Sequence, residues 1–256
     1  MKFTQIRNAT VKLQYAGKTF LVDPVLGDKG AYPGFPGTLN NHLNWPTVDL
    51  PCDVETILNA DAIIVTHTHE DHIDEAAFKL IPKDILLFVQ NEQDKEFMTD
   101  KGFTNLTVLS ENTDYDGIKI SITKGQHGSD TTMEAVGDLL GHVCGFVLQS
   151  KDEKTLYLAG DTIWNTHVED AINTYNPEVI VLNAGDAKIP GWGSIIMGKE
   201  DTLLAHKFAP NATIITTHLE AVNHAALSRT ELREYIKEND IAKYVLVPED
   251  GQSVEV

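Results

Sequence analysis

VTHTHEDH, residues 65–72, places three histidines and two acids in six consecutive positions directly after an apolar run. Crowding such side chains is costly unless solvent or a bound ion stabilises them. His67 and His69 are two apart, so in an extended segment they project to the same side and can grip one ion together. Asp71 and His72 fall where the strand turns into a helix. They point elsewhere and can serve a second ion. A charged helix N-terminus would account for Glu70 and Asp71, but not for three histidines. Imidazoles suit zinc, manganese, iron or nickel, and a carboxylate can bridge two ions.

The bulk properties narrow the setting. The chain has 256 residues, 42 % of them apolar, which is ample for a core. Its formal net charge is −18, and no Lys/Arg cluster is visible, so nucleic acid and anionic membranes are disfavoured as partners. Cys52 and Cys144 form no CxxC and read as buried thiols of a reducing compartment. The N-terminal MKFTQIRNAT has no apolar signal core and there is no 18-residue apolar run, so a cytoplasmic location is expected.

Along the chain, strands and helices alternate without a linker, which predicts one mixed α/β domain over 1–256. VKLQYAGKTFLVDP (11–24) reads as a hairpin broken at Ala16-Gly17-Lys18 and stopped at Pro24. Residues 26–51 hold four Gly, four Pro and three Asn, with Tyr32, Phe35 and Trp45 among them, and read as a lid or binding loop. Ile73, Ala76, Ala77 and Leu80 predict a helix after the histidine cluster. Asn91 is a plausible N-cap for a helix stopping at Gly102. Val168, Ala171, Ile172 and Tyr175 mark a helix ending before Asn176-Pro177, Lys199 to Phe208 another, and Ser228 with Glu231 a capping box. YVLVPEDG (244–251) is a closing strand.

Five strands are apolar until their C-terminal end and there release polar, metal-compatible side chains: the 67–72 cluster, His127, Asp161, Asn183 with Asp186, and His218. Carboxyl ends of strands converge on a crevice in open α/β sheets. His142 competes with His127 as a ligand; the glycine after His127 allows close approach and favours it. His42 reads as a surface residue, and His167 and His206 as surface or satisfied core residues. His224 is either a substrate contact and proton donor or structural. Asp23 could orient a ligand histidine or cap a turn, Asn183 could position substrate or hold a loop, and Trp164 reads as packing. Asp186 is an alternative to Asp161.

His67-Thr68-His69-Glu70-Asp71-His72 resembles the HxHxDH signature of the metallo-β-lactamase superfamily. Asp23-Pro24, GQHG around His127, Gly160-Asp161-Thr162 and TTHLE around His218 follow in that family's order, so the resemblance covers nearly the whole chain. The layout LVDP…THTHEDH…GDT looks most like the branch containing ascorbate-6-phosphate lactonase and other metal-dependent hydrolases. The resemblance implies a four-layer αββα sandwich with His67, His69 and His127 on one metal, Asp71, His72 and His218 on a second, and Asp161 bridging both. It implies two divalent ions, zinc first and manganese second, with a hydroxide between them as nucleophile and Asp71 orienting it. His at position 69 departs from the HxExDH pattern of flavodiiron-type oxidoreductases and favours hydrolysis over redox chemistry; the leading expectation is a dinuclear hydrolase acting on a small-molecule ester, lactone or phosphoester. A metal-dependent nuclease and a catalytically silent sensor are the alternatives. On this reading His69→Ala loses one metal and most activity. His142→Ala keeps its metals whereas His127→Ala does not; elemental analysis of the variants checks both, and the opposite outcome would mean a misplaced ligand.

Overall fold

The computed structural model describes residues 1–256. The chain opens with β1 (Lys2–Arg7), β2 (Thr10–Tyr15) and β3 (Lys18–Val22). Beyond the long segment 26–51, α1 (Val54–Leu58), β4 (Ala62–Val65), α2 (Glu75–Leu80), β5 (Leu86–Val89), α3 (Glu92–Asp100) and β6 (Leu106–Val108) alternate. Then come β7 (Thr113–Tyr115), β8 (Ile118–Lys124), α4 (Asp130–Leu140), β9 (Cys144–Ser150), β10 (Glu153–Leu158), α5 (Thr166–Tyr175) and β11 (Val179–Asn183). The short pair β12 (Lys188–Ile189) and β13 (Gly193–Ser194) precedes α6 (Lys199–Phe208), β14 (Thr213–Thr217), α7 (Arg229–Glu238), β15 (Val245–Leu246) and β16 (Ser253–Glu255).

Two seven-stranded sheets result, in the orders β16-β1-β2-β3-β4-β5-β6 and β15-β14-β11-β10-β9-β8-β7. Each runs antiparallel through its first half (β16 to β3; β7 to β10) and parallel through its second (β3 to β6; β10 to β15). The two sheets therefore repeat one topology, although no repeat is visible by residue identity.

Alternating side chains of both sheets, among them Phe3, Val11, Phe20, Ile64, Phe146, Leu156 and Val181, form the core between them. The opposite face of the first sheet is covered through Ile57 of α1, Ala77 and Phe78 of α2 and Met98 of α3. That of the second is covered through Val168 and Ile172 of α5, Ala205 of α6 and Leu232 and Ile236 of α7. This is the αββα sandwich.

The helix predicted from Ile73 starts later, at Glu75, because Asp74 is its N-cap and accepts a hydrogen bond from the Ala77 amide at 2.7 Å. The amides of His72 and Ile73 instead fold back onto the carbonyl of His69, at 2.9 and 3.0 Å. The closing strand shrinks to Val245–Leu246: Pro248 cannot donate to a ladder, and the chain crosses to the first sheet as β16. Cys144 is buried as expected, but Cys52 is exposed, since it lies in the surface turn before α1. No helix is long and apolar enough to cross a membrane.

Segment 26–51 has no regular structure beyond one bridge, Tyr32 with Trp45, yet it is anchored. Trp45 is buried with Val25 and Val222, with Tyr32 and Phe35 packed against them. Asp74 Oδ2 accepts from the amides of Leu26 and Gly27 and from the Tyr32 hydroxyl, at 3.0, 2.7 and 3.0 Å. Arg7, fully buried, donates to the carbonyls of Val25, Gly27 and Val48 at 3.2, 2.7 and 3.0 Å, tying both ends of the segment to β1. Arg7→Leu strips donors from three carbonyls and should lower the unfolding free energy by about 3 kcal/mol. Urea denaturation measures this, and an unchanged midpoint would mean the segment is held by packing alone.

Candidate metal centre

The site forms where strand ends of both sheets meet. β4 runs through Thr66 into His67. β10 ends in Gly160-Asp161, where Gly160 is required: its φ is +70° and a Cβ would stand 2.2 Å from the Cys144 carbonyl oxygen. His218 directly follows β14 and is itself left-handed at φ 59°, a strained backbone geometry that stops the strand there. Residues 125–128, beyond β8, bring in His127.

Three groups of side chains have ligand atoms close enough to share an ion: His67, His69 and His127; His67, His72 and Asp161; and Asp71, His72 and His218. His67 Nε2 and His69 Nδ1 are 3.0 Å apart. Asp161 Oδ2 lies 3.2 Å from His72 Nε2, 3.6 Å from His127 Nε2 and 3.7 Å from His218 Nε2, so one oxygen faces imidazoles of both outer groups. Asp71 Oδ2 is 3.4 Å from His218 Nε2 and 3.8 Å from His224 Nε2.

The outer nitrogens of His72, His127 and His67 are held by polar contacts that leave the inner ones free. His72 Nδ1 donates to Asp23 Oδ2 at 2.8 Å, and His127 Nδ1 to the Ile195 carbonyl at 2.8 Å. His67 Nδ1 lies 3.2 Å from the Thr66 hydroxyl, which donates to Asp23 Oδ2 at 2.7 Å. Asn183 Nδ2 donates to Asp161 Oδ1 at 2.6 Å, aiming Oδ2 at the histidines. Partners of this kind set the tautomer and orientation of metal-binding side chains.

The residues present fit divalent metal. His72 Nε2 and His218 Nε2, which face Asp161, are buried without a hydrogen-bond partner, a cost of about 1–3 kcal/mol each that a cation would relieve. The donors are all nitrogen and oxygen, matching zinc, manganese, iron or nickel. Burial, reinforced by His72 and His69, holds the His67 imidazole well below its usual pKa, and burial lowers that of His127 to about 4, so both rings are neutral, the form that can bind a metal. Burial opposes ionisation of Asp71 and Asp161, but the imidazoles of His218 and His72 and those of His72 and His218, respectively, outweigh it and keep both carboxylates charged.

The other sequence candidates fall outside the cluster. His142 is exposed and His42 is exposed. His206 stacks on Tyr244, and Trp164 donates to Glu169 and packs on Phe208. Asp186 pairs with Lys188 and accepts from Ser194, at 2.6 Å each. His224 is buried, 5.0 Å edge-on from Phe35 of the long segment. Sequence reading missed α4, although Ser129 caps it and Met133, Val136 and Leu140 recur at helical spacing. It also missed Ile195, whose carbonyl orients His127 from 68 residues away, a contact with no local signature.

A cavity of about 450 Å³ opens over the cluster. Its walls are mostly apolar, formed by Phe35 and Pro36 of the long segment, Leu139 and Leu140 of α4, and Ile189 and Ile195, with Thr38, Thr68 and Glu70 among them and His69, Asp71, His127 and His224 at its base. No Lys or Arg faces it.

Residues 18–219 match the family model described as a β-lactamase superfamily domain. The chain belongs to that superfamily, with the metallo-β-lactamase fold. It is 49 % identical over 254 residues to UPF0173 protein YddR of Bacillus subtilis, covering 99 % of both chains, which places it among the UPF0173 metal-dependent hydrolases. Two solved structures superpose at TM-score 0.98 over 100 % of this chain and 99 % of theirs. One is an isothiocyanate hydrolase from Delia radicum gut bacteria (48 % identical), the other a possible metal-dependent hydrolase from Veillonella parvula (42 % identical).

Asp23 contacts His72 directly and His67 through Thr66. Asp23→Asn should weaken binding of at least one ion by roughly 10- to 100-fold. Competition with a chromophoric chelator measures this; unchanged affinity would make Asp23 a turn-forming residue only.

Proposed function

We propose that this chain is a dinuclear metal-dependent hydrolase that adds water to a small, uncharged electrophile carrying an apolar tail, an isothiocyanate foremost. The carrying observation is the cavity: apolar walls and no cationic side chain above His69, Asp71, His127 and His224. Beyond the ions themselves, a phosphoester, a phosphorylated lactone or a nucleic acid would bring an anion that meets no cationic side chain in this lining and faces the carboxylate of Glu70. The likeness to an isothiocyanate hydrolase at 48 % identity supports the same class. A small ester or lactone makes similar demands and is the second reading.

Two ions held by His67, His69, His127, Asp71, His72, Asp161 and His218 would lower the pKa of a water towards neutrality and polarise the electrophile. The chain's own residues do the rest. Phe35, Leu139, Leu140, Ile189 and Ile195 bind the tail and exclude bulk water. Asp71 takes a fixed orientation beside His224 and His218. Burial lowers the His224 pKa, so its imidazole is neutral and able to take a proton from water and return it to the leaving nitrogen. For an isothiocyanate the balance is R–N=C=S + H₂O → R–NH₂ + COS: a carbon–oxygen bond forms, the carbon–nitrogen bond breaks, and both protons of the water pass to nitrogen.

Metal-loaded protein should hydrolyse benzyl isothiocyanate with kcat/KM at least about 100-fold above that for a phosphodiester, and dialysis against chelator should abolish the reaction. A preference for the phosphodiester would overturn the substrate class. His224→Gln should lower kcat by roughly 10²- to 10⁴-fold with the metal content intact; a change confined to stability would make His224 structural.

A further inference from the structure

Two cavities reach the histidine cluster, one from each side of His69. The apolar one touches His127 and His69 but not His67. A second, of about 470 Å³, touches His67 and His69 but not His127. Thr68 and His69 form the wall they share. The second cavity is polar: Gln90, Asn91, Gln93, Asp94, Asp138 and His142 line it, and Met133 is its one hydrophobic side chain. Gln93, Asp138 and His142 are exposed at its rim, whereas His67 and Asp94 are buried at its inner end. Asp94 is held there by Gln90 Nε2 at 2.8 Å and by the Thr68 hydroxyl at 3.5 Å, between the two histidines in sequence. The His69 nitrogen that faces away from His67 looks into this side, 4.0 Å from where a Cβ of Gly141 would stand.

We propose that the polar cavity is the route by which water reaches the metal centre, so that the nucleophile is replaced while the apolar cavity is still filled by the substrate's tail. The proposal rests on the hydrolase reading above. Each turnover consumes one water, and a bound tail covers Asp71, His127 and His224 from the apolar side. A file of waters needs two to four polar partners per molecule; the amides and carboxylates of the second cavity supply them, whereas in the first a bound tail lies along the Leu and Ile walls and leaves Thr38, Thr68 and Glu70 as the polar side chains outside the cluster.

Gly137 of α4 lines the polar cavity, and a Cβ there meets only Met133, at 3.6 Å, an ordinary contact. Gly137→Phe therefore plugs the cavity without backbone strain, and Asp138→Trp at the rim is a second plug should the first fail to fold. Leu139→Trp narrows the apolar mouth instead, where Leu139 is 72 % exposed. Protein loaded with manganese(II), its content checked by elemental analysis, is compared by its enhancement of bulk-water proton relaxation with the apolar cavity filled by saturating toluene, which is inert and stands in for the substrate's tail. The plugged variants should lose most of the enhancement, and kcat should fall about tenfold with KM unchanged. Leu139→Trp should keep the enhancement and raise KM. Full enhancement in both plugged variants, or its loss in Leu139→Trp, would overturn the route, as would a wild-type protein that shows none. The relaxation pattern without turnover of any substrate would leave the route standing and remove the hydrolase reading.

Discussion

Oδ2 of Asp161 is buried within 3.7 Å of imidazole nitrogens from three separate strand ends, those of His72, His127 and His218. Bringing titratable groups together away from water costs several kcal/mol per charge. Nitrogens of His72 and His218 that lack partners add to that cost. The outward-facing atoms of His72, His67, His127 and Asp161 are already committed, to Asp23, Thr66, the Ile195 carbonyl and Asn183. Those commitments turn the remaining lone pairs inward. The strand ends, the left-handed turns at Asp23 and His218 and the close approach at Gly160 serve that single convergence, and a divalent cation offsets it.

The two sheets share one topology, so equivalent strand ends face each other across the site. β3 ends in Asp23 and β10 in Asp161; β4 leads to His67 and β11 to Asn183; β5 leads to Gln90 and β14 to His218. The equivalent positions divide the work. One member of each of these pairs lies in the metal cluster and the other lies beside it, Asp23 and Asn183 as orienting groups and Gln90 on the wall of the polar cavity. Segment 26–51 and α4 then close the edge, giving an apolar wall on one side of His69 and a polar one on the other.

Much of this was legible in the sequence because it is local. The two-residue spacing of His67 and His69, the capping residues Asn91 and Ser228 and the apolar strands with polar C-terminal ends each act through neighbours in the chain. The aromatic-bearing loop was recognisable as a site element from its composition. What escaped was non-local. No spacing shows that Arg7 clamps the loop 41 residues away at Val48, or that Asn183 donates to Asp161. Cys52 looked like a core thiol by residue type, but the turn that carries it runs over the surface. The start of α2 shifted because Asp74, and not the apolar periodicity, sets the cap.

Anomalous X-ray scattering from crystals of the metal-loaded protein is the decisive measurement. Two peaks about 3.5–4 Å apart should appear, one within bonding distance of His67, His69 and His127, the other of Asp71, His72 and His218, with Asp161 between them. A single peak, or peaks that leave either group without an ion, would contradict a dinuclear centre built on Asp161.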